Sequence, residues 1–243
     1  MRKVFTCIFI IFSFLTAEKG PFEKGVNFYK YRAEGAVGYN VMPLNIENAI
    51  KQFKKVSQDL ELEAGVYLMR SYYFKGKFLV KTDDEKKEIF SKGKKKGEKL
   101  IKLFPNSAAV RYWYLVNLGS WAEVYGTMAA AKEGVAGLMK DHSKKIIEID
   151  PNYSNGGGYF MLGAVHFKSP YIPFILSWPS NDLAIKNLEK AYRIGDSTPS
   201  QTVYLAQALY KDGQKEQAKS YLIELLKKPF SQSEKVEDFD QHQ

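Results

Sequence analysis

The sequence predicts an all-α fold built from stacked helix–turn–helix pairs. Three observations lead there. Apolar residues recur at helical spacing beyond residue 42. Pro and Gly punctuate the periodic stretches at intervals that fit helix ends. The last pair of stretches also follows a large–small packing pattern that recurs upstream. The chain has 243 residues, 45% of them hydrophobic and 26% charged, which excludes a disordered chain and is long enough to bury a core without staples. A single Cys excludes an intramolecular disulfide and a Cys-based metal cluster.

The elements follow in order. Arg2 and Lys3 precede an apolar run from Val4 to Leu15, too short for a membrane-spanning helix of about 20 residues and suited to an export signal ending at Ala17. Residues 1–17 are therefore expected to be a signal peptide and 18–42 an N-terminal extension, with the protein exported to the periplasm. Helices are expected over 43–58, with Asn45 as N-cap, and over 60–80. The next spans are 85–103, stopped by Pro105, then 108–126, then 129–149, stopped by Pro151. Further helices are expected over 158–167, 182–194, 200–211 and 215–227. No stretch reads as a strand with an alternating partner. The tail 230–243 is polar and expected to fray.

The stretch from Thr202 to Pro229 carries the pattern most clearly. Leu205 and Ala206 give a large–small step, Gly213 permits a left-handed turn, Ala218 allows close approach, Leu222 and Leu225 form a seam, and Pro229 stops the helix. That is tetratricopeptide (TPR) spacing. It recurs around Leu162, Gly163, Ala184 and Leu188 with nine residues inserted, and around Trp113–Asn117 and Gly65–Tyr72. The predicted architecture is an all-α, TPR-like helix–turn–helix superhelix of about four degenerate repeats with insertions over residues 43–229, each repeat burying its stripe on the next.

In such a stack, positions 2, 5, 9 and 12 of each repeat line the concave face. Carried over, that register selects Arg70 and Tyr73, then Arg111, Tyr114 and Trp121, then Phe160 and Phe167, then Tyr210 as ligand- or partner-binding residues. Six of the sixteen register positions are aromatic, a composition suited to an apolar ligand or a partner segment, with Arg70 or Arg111 facing a carboxylate. On this reading Trp121→Ala and Tyr114→Ala weaken binding by about 1–3 kcal/mol and leave the fold intact.

The stretches YWYLVNLGSWAE (112–123), GGGYFMLGAVHFKSPYIPF and SWPSNDLAIKNLEKA (156–191), followed by the TPR tail, resemble the TRAP-transporter T-component family, the TatT-like periplasmic TPR proteins. The resemblance implies an accessory of a solute-uptake system that holds a small hydrophobic molecule. It also implies docking to a periplasmic solute-binding protein and assembly into a homo-oligomer. Cys7 lies within the apolar run and not after it, so no lipobox is present.

Other constellations give less. The net charge is +9, and lysines 92, 94, 95, 96, 99 and 102 crowd one helix. Only five of the 36 cations are Arg, which argues against nucleic acid and for a solvated face. Gly156–Gly158 opens a helix without the Lys-Ser/Thr of a phosphate loop and reads as a turn. The apolar loop 169–180 is expected to close over the groove, to plug an oligomer interface, or to pack outside its own repeat. His142 and His166 lack metal-ligand spacing, and no nucleophile or acid–base cluster stands out, so no catalytic residue, cofactor or metal is assigned. A generic TPR scaffold in the cell envelope is the alternative to the uptake reading, and a lytic enzyme a weaker one.

Overall fold

The computed structural model describes residues 20–174, 176–231 and 234–243. The export signal read at 1–17, with Cys7, lies outside the described residues. Helix α1 (Pro21–Lys30) and α2 (Pro43–Phe53) come first, each with Pro in its opening turn, where a missing N–H costs nothing. Then follow α3 (Glu61–Phe78), α4 (Asp83–Leu103), α5 (Ala108–Tyr125), α6 (Thr127–Lys132) and α7 (Val135–Ile149). The rest are α8 (Tyr153–Lys168), α9 (Asn181–Arg193), α10 (Pro199–Lys211), α11 (Lys215–Lys227) and α12 (Lys235–Gln241). Isolated bridges at Val37–Asn40 and Ile172–Leu176 are the extended pairings among the described residues.

Local chemistry sets several boundaries. Thr82 and Glu85 form a capping box at α4: the Glu85 N–H donates to Thr82 Oγ1 at 3.3 Å and the Thr82 N–H to Glu85 Oε2 at 3.2 Å. Thr198 and Gln201 do the same at α10. The single helix expected over 129–149 is broken at Gly134, whose φ of 64° is left-handed, giving α6 and α7. Asn45 does not cap α2. Met42 holds that position, and the Asn45 amide donates to the Tyr31 carbonyl at 2.7 Å.

The pairs stack in two layers. Helices α1, α3, α5, α8 and α10 neighbour one another in succession, and α2, α4, α7, α9 and α11 pack behind them. The second-layer helices do not approach each other in the same way, so the stack curves with the first layer inside. The core lies between the layers, running from Ile46, Phe53 and Phe74 through Leu115, Leu118 and Ile146 to Leu188, Leu205 and Leu209. Residues 21–53 add a fifth pair ahead of the four read from sequence.

Loop 169–180 takes the third of its expected courses. Trp178 meets the His166 ring edge-on at 5.0 Å on α8 of its own repeat and lies under Lys140 Nζ at 4.3 Å on α7 of the preceding one, while Phe174 projects fully into solvent. The glycine run is a packed turn. Ser154, Asn155 and Gly156 are left-handed, and a Cβ on Gly157 would stand 2.6 Å from the Tyr112 ring. The tail does not fray. Its residues 235–241 form α12, with Val236 buried.

Candidate interaction face

The inner layer gathers aromatic side chains around one cation. The Arg70 guanidinium on α3 lies 4.8 Å from the Tyr29 ring centre, 5.0 Å from Tyr67 and 5.1 Å from Trp113. Its Nε is buried with no hydrogen-bond partner among the described residues. Cation–π attraction of about 0.5–2 kcal/mol per ring holds such a group without a carboxylate. Tyr73 tilts against Trp113 at 6.2 Å, Tyr112 meets Trp113 at 5.6 Å, and Tyr153 meets Tyr112 at 5.6 Å. Phe160 and Phe167 then touch Tyr204 on α10 at 5.3 and 6.3 Å. Aromatic contacts thus link α1 to α3, α5 and α8, and a second set links α8 to α10.

Electrostatics shows what the face offers. Burial raises the Tyr73 phenol, and the carboxylates of Asp240, Glu237 and Glu123 push the same way. Burial pushes Tyr112 and Tyr204 up to about 12, the latter helped by Glu123. These phenols stay protonated at neutral pH and act as neutral donors. Exposed Glu123 lies on the inner-layer helix α5, and its carboxylate pushes up both the Tyr73 and the Tyr204 phenols.

Of the eight residues selected by the repeat register, Arg70 and Tyr73 lie on this face. The others are placed differently. Tyr114 and Trp121 are core side chains, 3% and 7% exposed. Tyr114 seats against Gly97 of α4, where an added Cβ would lie 2.7 Å from its ring, and Trp121 stacks on Tyr125 at 4.3 Å. Arg111 is a strut: Nε and Nη2 donate to the Pro105 carbonyl at 3.0 and 2.7 Å, and Nη1 donates to His142 Nδ1 at 2.6 Å. Phe160 and Phe167 are half-buried in the joint between α8 and α10. Tyr210 is exposed at the end of α10, apart from the aromatic set. Two open surface depressions also lie elsewhere. One is ringed by Lys51, Lys54, Lys55 and Lys75, and the other lies beside Pro21 and Val56.

The register missed Tyr29, Tyr67, Tyr112, Trp113 and Tyr153. For Tyr112 and Trp113 the missing signal was the spacing Gly93–Gly97 on α4. It forms a smooth stripe that receives Asn117 and Tyr114 of α5, and so turns Tyr112 and Trp113 inward. The lysines of α4 are used locally. Lys92 pairs with Glu88, Lys94 with Glu98 and Glu133, and Lys96 and Lys99 with Glu61.

Comparison with known proteins places this geometry. A family profile described as "Regulator of microtubule dynamics protein 1-3" matches residues 39–175, from α2 through α8, more than half of the chain. The chain belongs to this family. Membership in the regulator of microtubule dynamics family overturns the resemblance to the TRAP-transporter T-component, and with it the solute-uptake role. The stretches that carried that resemblance serve packing needs common to stacked helix pairs, such as Asn117 against Gly93 and Gly163 against Leu188. The crystal structure of a thermophilic TPR protein from Thermus thermophilus superposes with a TM-score of 0.57 at 16% identity, over 91% of this chain and 96% of that one. The fold of this family member is therefore an all-helical, TPR-like repeat stack. No curated protein matches the sequence.

Two histidines give this fold a pH dependence. His142, beside the Arg111 guanidinium, and His166, whose Nδ1 accepts from the Ser180 N–H at 3.3 Å, are both held below the usual imidazole range. Burial is the first cause in each; Arg111 adds to it for His142, and Lys140 and Lys144 for His166. The folded state therefore resists protonation that the unfolded chain accepts near 6.5. Their contribution to stability is full above that pH and is lost as pH falls below it. The unfolding midpoint should drop between pH 7.5 and 5.5, by about 2–4 °C for each kilocalorie lost. His166→Gln should flatten the profile, and a midpoint constant over that range would refute the assignment.

Proposed function

We propose that this chain is a non-enzymatic scaffold whose inner layer receives a segment of another protein. The observation that carries this reading is the aromatic face around Arg70, built from four successive inner helices. Rings with polar tips and one cation with no ion pair among the described residues match the chemistry of protein interaction surfaces. From the family's name we carry over only the class of partner, another protein. Export to the cell envelope is part of the proposal, resting on Arg2, Lys3 and the apolar run after them. A mature chain beginning at Glu18 in intact mass measurement would support it, and a retained N-terminus would remove it.

Photo-crosslinking tests the scaffold reading. A photoreactive residue at exposed Glu123, on the inner-layer helix α5, should yield a discrete protein adduct in cells. The same residue at Lys102, on the second-layer helix α4, should not. Trp113→Ala should cut the adduct yield by about tenfold, the loss expected of an aromatic anchor. Equal adducts from both positions, or attachment of small molecules alone, would end the reading.

A further inference from the structure

The chain's own last helix bridges the two ends of the inner layer. After α11 the chain turns back, with the Ser231 N–H donating to Asp238 Oδ2 at 2.7 Å, and α12 packs on α10. From there it reaches the opposite end of the stack. Arg32, just beyond α1, donates from Nη2 and Nε to Glu237 Oε1 at 2.6 and 2.9 Å. Lys77 of α3 pairs with Asp240 at 3.2 Å, and Phe239 meets Tyr39 edge-on at 5.1 Å. The carboxylates of Glu237 and Asp240 also push up the Tyr73 phenol, and that of Glu234 the Tyr112 phenol. The segment thus spans from the last inner helix to the first, across the face described above.

Its chemistry is that of a ligand more than of a structural helix. Within 234–241 four residues are acidic and one is basic, facing Arg32 and Lys77. Two apolar anchors, Val236 and Phe239, stand three positions apart. Seven residues do not sustain a helix in water, so α12 is helical because the face holds it. The fit is also incomplete, since Glu237 Oε2 is buried with no hydrogen-bond partner among the described residues.

We propose that α12 is an intramolecular pseudo-ligand and that the partner's binding segment replaces it. That segment is a short acidic helix carrying an apolar and an aromatic residue three positions apart. The inference rests on the scaffold reading and names the partner's chemistry. Docking in cis benefits from the high effective concentration of a short tether, so the tail raises the affinity a partner must reach.

The probe is a fluorescein-labelled peptide with the sequence of residues 229–243, titrated into the full-length chain. Binding to the wild type should be at least tenfold weaker than to a full-length variant carrying Glu237→Lys and Phe239→Ala, whose own tail no longer docks. Arg32→Glu added to that variant should abolish binding, and a peptide with Arg at the position of Glu237 should restore it. Equal affinity of wild type and tail variant would overturn the proposal. Hydrogen exchange on the wild type gives an independent check should the variant misfold. Amides of 236–241 should exchange well before those of α5, and exchange only with the core would show a fixed structural closure. If the peptide fails while Glu123 still captures a protein, the scaffold reading stands and the pseudo-ligand falls; if both fail, both readings fall.

Discussion

Tyr114→Ala is expected to destabilise the fold by about 3–5 kcal/mol, the cost of removing a large aromatic from a packed core. The ring is 3% exposed, sits over Gly97 of α4, and meets His142 of α7 edge-on at 5.1 Å. Burial pushes its phenol up to about 12. Its removal leaves a cavity between three helices, and α4 cannot collapse into it without shifting the Gly93–Gly97 stripe. The unfolding midpoint should fall by about 10 °C or more. The repeat register selects the same position as a ligand contact, and a ligand contact makes the opposite prediction: binding lost, midpoint unchanged. A thermal melt of the variant separates the two. A midpoint within a degree or two of the wild type would return Tyr114 to the surface and refute the packing described here.

Gly93→Ala should cost about 3 kcal/mol, at the upper end of overpacking penalties. A Cβ there would lie 1.9 Å from Asn117 Oδ1 and 2.4 Å from its Cγ. The amide cannot swing aside cheaply, because Nδ2 donates to the Met69 carbonyl at 3.1 Å and to the Trp113 carbonyl at 2.8 Å. Asn117 is fully buried, so breaking those bonds strands polar atoms at about 1–3 kcal/mol. The gain in helix propensity from Gly to Ala, about 1 kcal/mol, is smaller than the overpacking penalty. The double variant with Asn117→Ala should be more stable than Gly93→Ala alone, since the clash is gone. Denaturant unfolding of the four-member cycle reads this coupling directly, and additive effects would show that the two residues do not touch as described.

Those two residues also mark where local pattern stops being informative. The Gly93–Gly97 spacing stands inside a lysine-rich stretch whose charge dominates any reading of that helix. Helix α5 is apolar on nearly every side, with Tyr112, Trp113, Tyr114, Leu115 and Val116 in a row. A periodicity argument needs a polar side to orient a helix, and α5 has almost none. A register carried over from an idealised repeat therefore turns Tyr114 and Trp121 inward when Tyr112 and Trp113 belong there. On α3, where Glu63 and Lys77 leave a polar side, the same register selects Arg70 and Tyr73, which lie against Trp113 in the inner layer.

Helix α1 is legible in the sequence, though the expected extension over 18–42 contains no helix. Pro21 opens it, and Phe22, Val26 and Tyr29 repeat at four and three residues. Helix α12 is different in kind, because Val236 and Phe239 amid acidic residues carry too little periodic signal for seven residues to form a helix alone.

By itself, then, the amino-acid order determined the all-helical, paired-repeat architecture, because periodicity and Pro or Gly stops act within a few residues of where they stand. Only the folded chain decided which side of α5 faces inward and what covers the inner face. Those outcomes depend on contacts between residues far apart in sequence: Gly93 with Asn117, and Arg32 with Glu237 about two hundred positions away. Close packing selects among faces that local pattern leaves equivalent.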